Sequence, residues 1–523
     1  MTDNNIIYYF CAYFTFFLAY IFVLIDSVHF FQLNFYRHDT HRKWLRENKG
    51  KFISPVIFAL LAFGAYFLQM EFWHQMATVA VFGLMAIVKI PARGKKPLVY
   101  TARVKRMLLT AMIITFAPII AVNVIFHDKP IVMTAVFCGF IALSPVTMLI
   151  ADFFNKPMEK SINNGYIRDA KKILKSCPDL KIIGVTGSFG KTSVKFYLNT
   201  LLQAKYNVLM TPESYNTPMG VVKTIRGSLK STHEIFICEM GAKWVGDIKE
   251  LCDIVHPQDG VITSIGPQHL ESFGSLDNVK STKFELSDSL PEDGLLFLNM
   301  SDKNIQDVNK KRPYISYTIE GDGDYNATDI SVSSKGTTFT VTTKDGESET
   351  YTTKLLGRHN IINITGAIAI ANKYGIPLKA LKGQVRKLEG VPHRLALTDN
   401  GQAIIIDDAY NSNPSGSKAA LDVLSLFEEF KIAVTPGMVE LGEKQFELNK
   451  EFGKQMADVC DYVILVGRKQ AVPMKEGLLE KGYDEKKIYV AATVNEAITH
   501  AYALNSKGRK KVILLENDLP DNY

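Results

Sequence analysis

Residues Gly184-Val185-Thr186-Gly187-Ser188-Phe189-Gly190-Lys191-Thr192-Ser193 follow an apolar pair, Ile182-Ile183, and lead into a helix-like pattern. A strand that passes through a glycine-rich turn into a helix constrains a fold strongly. The strand calls for parallel neighbours, and the turn and helix start leave backbone N–H groups bare beside a positive dipole end. Such a turn cradles nucleotide phosphates. Gly187, Ser188, Gly190, Lys191, Thr192 and Ser193 are the candidate nucleotide-binding residues: the glycines let the backbone converge, Lys191 supplies a positive charge, and Thr192 offers a hydroxyl to Mg²⁺. Five residues separate Gly184 from Gly190, one more than the generic phosphate loop, so the pattern is G-x-x-G-x-x-G-K-T. The turn predicts a chain that binds and consumes ATP.

Ahead of it lies a different kind of sequence. The run Ile6–Ile25 carries no formal charge and is long enough to cross a hydrocarbon core. It lacks a basic start and a small-residue cleavage site, which predicts a retained anchor rather than a removable signal. Further apolar runs near Phe52–Met70, Phe72–Val88, Met107–Phe126 and Ile131–Ile150 bring the expected number of spans to about five. Arg37, Arg42, Lys43, Arg46, Lys49 and Lys51 fill one connection, and Arg93, Lys95, Lys96, Arg103, Lys105 and Arg106 another. Basic loops face the cytoplasm, so everything after Asp152 is expected there: a multi-pass cell-membrane protein with the lipid bilayer as partner and cytoplasmic catalytic domains. The net charge of +7 is explained by these loops, and nucleic acid is not an expected partner. The six cysteines form no C-x-x-C pair, which excludes a disulfide framework or zinc motif of that kind.

The expected organisation is a helical membrane region (1–154), a linker (155–180), a central ATP-binding α/β domain (181–390) and a C-terminal α/β domain (391–523). In the central domain, strands at Ile182–Val185, Glu234–Cys238, Gly260–Ile265 and Gly294–Asn299 alternate with helical patterns, the mark of a doubly wound sheet. Thr/Ser/Val alternation over about 325–354, with a Lys344-Asp345-Gly346 turn, predicts a small antiparallel insertion. A second alternating series has strands at Ala403–Ile406, Ile432–Thr435, Tyr462–Val466 and Val512–Leu515, with a hinge near Gly390 and Pro392. Glu239 and His269 both follow strand ends beyond the phosphate turn, where α/β proteins place chemistry, and are read as candidate metal or nucleotide ligands.

Six motifs in order then carry a resemblance. They are the phosphate turn; Cys238-Glu239-Met240-Gly241-Ala242; Gly266–Glu271 with Phe273-Gly274-Ser275-Leu276; Gly357–Asn363; His393-Arg394; and Asp407-Asp408-Ala409-Tyr410-Asn411-Ser412-Asn413-Pro414. From about Lys181 onward the chain resembles the Mur ligase family, most of all its D-alanyl-D-alanine-adding branch, as does Val439-Glu440-Leu441-Gly442-Glu443. The resemblance implies a Mur-ligase central domain, a Rossmann-like C-terminal domain and an ATP-dependent ligase joining a carboxylate to an amine. It implies that Lys191 holds the β- and γ-phosphates and that Thr192 and Glu239 ligate Mg²⁺. His269 would ligate a second ion, together with Lys283 if CO₂ converts that lysine to a carbamate. Asn363 would contact adenine, Asp408 the ribose, and Arg394 the γ-phosphate, so that Lys191, Lys283, His269 and Arg394 form the catalytic set. Asn216, Thr217, Asn411 and Asn413 would lie on the substrate side. Soluble members of the branch begin with a small α/β domain that grips a UDP-sugar, and this chain has apolar runs there. The carboxylate donor is therefore expected to be lipid-linked or membrane-proximal, and the amine an amino acid or a dipeptide. A catalytically inactive tethered scaffold and a phosphate-loop transport ATPase remain as alternative readings.

Overall fold

The computed structural model describes residues 3–65, 71–88, 97–126, 130–333, 336–409, 413–439 and 441–517. It divides into two compact units, Met1–Gly165 and Tyr166–Leu519.

The first unit is helical: α1 (Asp3–Leu33), α2 (His38–Glu47), α3 (Lys49–Ala65), α4 (Glu71–Val88), α5 (Ala102–Ile125) and the part of α6 (Pro130–Lys175) before residue 166. Among the described residues two stretches, Phe10–Leu33 and Ala102–Ile125, are long and apolar enough to cross a membrane. A third would be the pair Ile131–Ser144 and Val146–Lys175, bent by 75°. Of the other two expected spans, Ile53–Gly64 and Met76–Val88 form shorter apolar helices, and part of the Phe52–Met70 run lies outside the described residues. Inside the bundle Phe16, Tyr20, Phe82 and Met107 are buried, and the Tyr20 hydroxyl bonds Thr115 Oγ1 (2.7 Å) and Thr147 Oγ1 (3.2 Å). Outward, Phe10, Leu60, Ile87, Leu109 and Val124 are all more than half exposed. Asp152, buried in α6, is held by His38 (2.9 Å) and Arg103 (3.0 Å), while Arg106 grips the buried Glu159 through two nitrogens at 2.7 and 2.9 Å.

The second unit contains two sheets. The larger is built from β1 (Lys181–Thr186), β2 (Val208–Met210), β3 (Ile235–Glu239), β4 (Asp259–Ile262), β5 (Leu296–Asn299), β6 (Ile315–Ile319), β7 (Tyr325–Ser333), β8 (Gly336–Thr343) and β9 (Ser348–Thr353). Its order is β2-β3-β1-β4-β5-β6-β7-β8-β9, parallel as far as β7 and antiparallel through β8 and β9. The segment expected to be an insertion therefore extends the central sheet. Helices α7 (Lys191–Leu202), α8 (Pro218–Ser228), α9 (Asp247–Val255), α10 (Leu270–Phe273), α11 (Leu276–Ser289), α12 (Lys303–Gln306), α13 (Arg358–Lys373) and α14 (Leu378–Arg386) complete this lobe. β1 is buried on both faces, as a central parallel strand must be. Ile183 and Val185 join one core with Leu198, Phe297 and Ile364, and Ile182 joins another with Phe236, Ile262 and Leu286. The second core also takes in Ala170, Cys177 and Leu180, so residues read as linker pack as part of the lobe.

The smaller sheet comprises β10 (Ala396–Asp399), β11 (Ala403–Asp408), β12 (Phe430–Thr435), β13 (Tyr462–Val466), β14 (Ile488–Ala491) and β15 (Lys511–Glu516), in the order β10-β11-β15-β12-β13-β14. Only β10 is antiparallel to its neighbour. Helices α15 (Pro414–Ser425), α16 (Gln445–Val459), α17 (Ala471–Glu480) and α18 (Val494–Ala503) accompany it. Phe427, Phe452, Met456 and Leu514 lie in one of its cores, and Ile432, Ile464 and Ile513 in another.

Candidate active site

The turn between β1 and α7 is set by two glycines with positive φ, Gly187 (+150°) and Gly190 (+79°). A Cβ on Gly187 would come within 2.1 Å of Thr263 Oγ1, and one on Gly190 within 2.6 Å of Asn363 Oδ1, so both conformation and space demand glycine. Ser188 and Phe189 anchor the turn: their amides bond Ser264 O (2.7 Å) and Ser264 Oγ (2.8 Å), and the Ser188 hydroxyl bonds Gly266 O (3.2 Å). The amides of Gly190, Lys191, Thr192 and Ser193 find no acceptor among the described residues, leaving an anion-binding helix start. Lys191 Nζ folds back onto Gly187 O (2.7 Å) and Ser188 O (3.0 Å). Burial, reinforced by the Arg394 charge and opposed by Glu239, brings its ammonium down to about 8.

Behind the turn, Glu239 ends β3 and is buried. Its Oε1 accepts from Thr192 Oγ1 and from Asn216 Nδ2, both at 3.1 Å. Its Oε2 lies 3.0 Å from Lys195 Nζ, an ion-pair distance without hydrogen-bond alignment, so this oxygen has unused acceptor capacity. Two hard oxygen donors, a carboxylate and a hydroxyl, thus meet beside bare amides, a set that suits Mg²⁺. Lys283, on α11, is 2% exposed and has no hydrogen bond or ion pair among the described residues. Burial first, and then the Lys191 charge, hold its amine well below the ordinary lysine range, with Asp247 and Glu285 opposing.

From the other lobe, Arg394 is flanked by two residues in the left-handed region, His393 (φ +61°) and Leu395 (+51°). Its charge acts on Lys191 and Lys195 on one side and on Asp408 on the other, which brings residues from both sheets to one locus. Asp408 ends β11, accepts from Leu395 N (3.2 Å) and is hydrogen-bonded to the buried Glu516. Burial pushes it up to about 6 although Arg394 pulls the other way.

The remaining expected residues are placed as follows. Asn363, on α13, packs against Gly190 rather than standing apart from the phosphate turn. His269 (φ +53°) stands at the N-terminal end of α10 (Leu270–Phe273). Among the described residues no three His, Cys, Asp or Glu side chains form a metal-type group. Thr217 caps α8 by accepting from Gly220 N (3.4 Å), and Asn413 caps α15 by accepting from Gly416 N (2.9 Å). Both are engaged in helix starts. Asn411 and Glu440 lie outside the described residues. Sequence reasoning missed Lys195 and Glu516. The helical spacing of Val194, Lys195, Leu198 and Leu202 turns Lys195 inward, and Glu516 ends a strand beside β11 as Asp408 ends β11 itself.

Comparison with known proteins bears on the same two lobes. The model of the Mur ligase middle domain matches residues 185–371, and that of the Mur ligase, glutamate ligase domain residues 393–515. The UDP-N-acetylmuramoyl-tripeptide--D-alanyl-D-alanine ligase of Bacillus subtilis is 33% identical over 329 residues, covering 61% of this chain and 70% of the relative. The chain belongs to the Mur ligase family. The Escherichia coli enzyme of the same name is 30% identical, covering 64% of this chain and 75% of its own. Crystal structures of MurF from Acinetobacter baumannii (TM-score 0.62) and of MurF ligase from Thermotoga maritima in complex with ADP (0.61) are each 26% identical. Each covers 68% of this chain, and 77% and 80% of those chains respectively are matched. The chain is thus an ATP-dependent, amide-bond-forming Mur ligase.

Proposed function

We propose that this Mur ligase is anchored in the cell membrane and adds a D-alanyl-D-alanine-like dipeptide, or an amino acid, to a membrane-associated cell-wall precursor. The observation that carries the reading is the pairing of Thr192 with Glu239 beside Lys191 at the phosphate turn, with the charge of Arg394 acting on Lys191. The amine is favoured by the names of the relatives, which add D-alanyl-D-alanine.

A carboxylate resists attack by an amine because oxide would have to leave. In the proposed sequence a donor carboxylate oxygen attacks the γ-phosphorus of ATP, the β,γ bridging bond breaks and ADP departs. The amine nitrogen then attacks the acyl phosphate carbon, the C–O bond to phosphate breaks, and the nitrogen loses a proton. The amides of Gly190–Ser193 would grip the phosphates, while Lys191 and Arg394 offset charge as it develops. Thr192 and Glu239 would hold Mg²⁺, and His269 and Lys283 a second ion; the metal supplies charge neutralisation at the phosphate oxygens. Lys283 is buried and its amine is held well below the ordinary lysine range, which favours the neutral form that adds to CO₂ with loss of a proton. Asn363 and Asp408 would face the adenosine, and Asn216, Thr217, Asn411 and Asn413 the substrates. Closure about the hinge near Gly390 and Pro392 would exclude water from the acyl phosphate.

Membrane attachment rests on the apolar outer face of the helical unit, whose exposed Phe10, Leu60, Ile87 and Val124 call for a hydrocarbon surround. The basic residues of α2 and the start of α5 favour a cytoplasmic face for those segments, and the catalytic lobes, which consume ATP, would lie in the cytoplasm. Purified protein in lipid should form amide from ATP, the amine and a lipid-linked carboxylate, and Lys191→Ala and Lys283→Ala should each abolish the product. Equal rates on a soluble UDP-linked peptide would argue against the membrane-associated donor. Incorporation of label from carbon-13 bicarbonate into Lys283, read by NMR, tests the carbamate.

A further inference from the structure

The segment between β2 and α8, residues 211–217, is fastened at both ends to β3. At its start Thr211 N bonds Ile237 O (3.0 Å) and Thr211 Oγ1 accepts from Glu239 N (3.1 Å). At its end Asn216 O accepts from Gly241 N (2.8 Å), and Asn216 Nδ2 reaches Glu239 Oε1. The middle, Pro212–Tyr215, runs over the surface, with Pro212 and Glu213 exposed and Glu213 in the left-handed region (φ +42°). What reaches it from the protein interior is Lys195. This side chain is fully buried, donates to Glu213 O, and stands 3.0 Å from Glu239 Oε2.

A lysine with no exposure is costly unless both its charge and its N–H groups are matched. Here the charge is matched by Glu239 and one N–H by a carbonyl in the middle of a surface loop. Lys195 also sits one helical turn after Lys191 and nearly one after Thr192, on the helix that begins at the phosphate turn. One rigid helix thus carries the bare amides, the Thr192 hydroxyl on Glu239 Oε1, and the ammonium that holds both Glu239 Oε2 and the loop.

We infer that Lys195 is a positioning residue that couples the phosphate turn to the 211–217 loop, so that nucleotide binding and ordering of that loop reinforce each other. The inference rests on the proposed reading of the loop as part of the substrate side. Its physical basis is the carboxylate they share. Any cation or phosphate that redistributes charge on Glu239 changes the pull on Lys195 and therefore on Glu213 O, and linkage makes the effect reciprocal.

The test is hydrogen exchange of the full-length protein in detergent or lipid, with and without Mg²⁺ and ADP. In the wild type, amides of 211–217 should exchange at least several-fold more slowly when nucleotide is bound. In Lys195→Met, ADP should still bind through the turn amides, with affinity changed less than about tenfold, while the nucleotide-induced slowing of the loop disappears. Lys195→Arg, which keeps the charge, should retain part of it. Unchanged loop exchange in nucleotide-saturated wild type overturns the inference whether or not either variant folds. Persistence of the full slowing in Lys195→Met overturns it as well. Failure of ADP to bind the wild type at all would instead count against the nucleotide site itself, a result separable by calorimetry.

Discussion

Glu239 and Asp408 occupy equivalent places in the two lobes, each the last residue of a parallel strand, yet their surroundings differ in sign. Glu239 has Lys195 at 3.0 Å and two neutral donors on its other oxygen. Asp408 has Glu516 as hydrogen-bond partner, and burial outweighs the pull of Arg394, raising it to about 6. A strand end supplies position, and the neighbouring strand and helix supply the charge that decides what a carboxylate does there. The first arrangement presents an anion to a metal. The second is a carboxyl pair that holds a proton to higher pH than an isolated aspartate does.

The largest effect is expected at the cation between the lobes. Arg394→Ala should lower kcat by about 10²–10³-fold, the range for removing one charge-stabilising donor, with little change in melting temperature. A loss below tenfold would contradict the charge-stabilising role given to Arg394. Next, Glu239→Gln keeps the shape but strands Lys195 in the interior. It should cost on the order of 3–5 kcal/mol in denaturant unfolding, and Glu239→Gln combined with Lys195→Met should recover much of that loss.

The contrast between the carboxylates is sharpest in pH dependence. A folded-state value of about 6 lies above the ordinary aspartate value, so the native state binds the extra proton. The stability associated with Asp408 is full below about pH 4 and is lost as pH rises through about 6. Asp408→Asn should therefore gain stability relative to wild type between pH 4 and pH 7, measured by thermal unfolding across that range. A difference that is flat or of opposite slope would contradict the assignment. The smallest effect is expected at a cap: Thr217→Ala should cost at most about 1 kcal/mol, since its 3.4 Å bond to Gly220 N is long and exposed.

Much of this was legible in order along the chain because it is local. The strand, turn and helix at 182–202 and the carboxylate after β3 follow from patterns a few residues long. Lys283 was legible only through family likeness, since nothing in the local pattern of α11 marks a lysine as buried. Lys195 shares the inward spacing of Val194, Leu198 and Leu202, but a lysine on a helix reads as solvated and its partner Glu239 is distant in sequence, so its role was not legible. The Asp408 and Glu516 pair depends on the parallel register of β11 with β15, and Asn363 meets Gly190 only through the packing of α13 on α7. In the helical unit, hydropathy located the apolar runs; among the described residues two of them, Phe10–Leu33 and Ala102–Ile125, are long enough to cross a membrane, and a third is the bent pair Ile131–Ser144 and Val146–Lys175.

The most direct measurement follows oxygen from the donor carboxylate. With oxygen-18 in the donor's carboxyl group, ATP and the amine, the inorganic phosphate released should carry one label for each amide formed. Amide accompanied by unlabelled phosphate would contradict carboxyl phosphorylation by this pair of lobes.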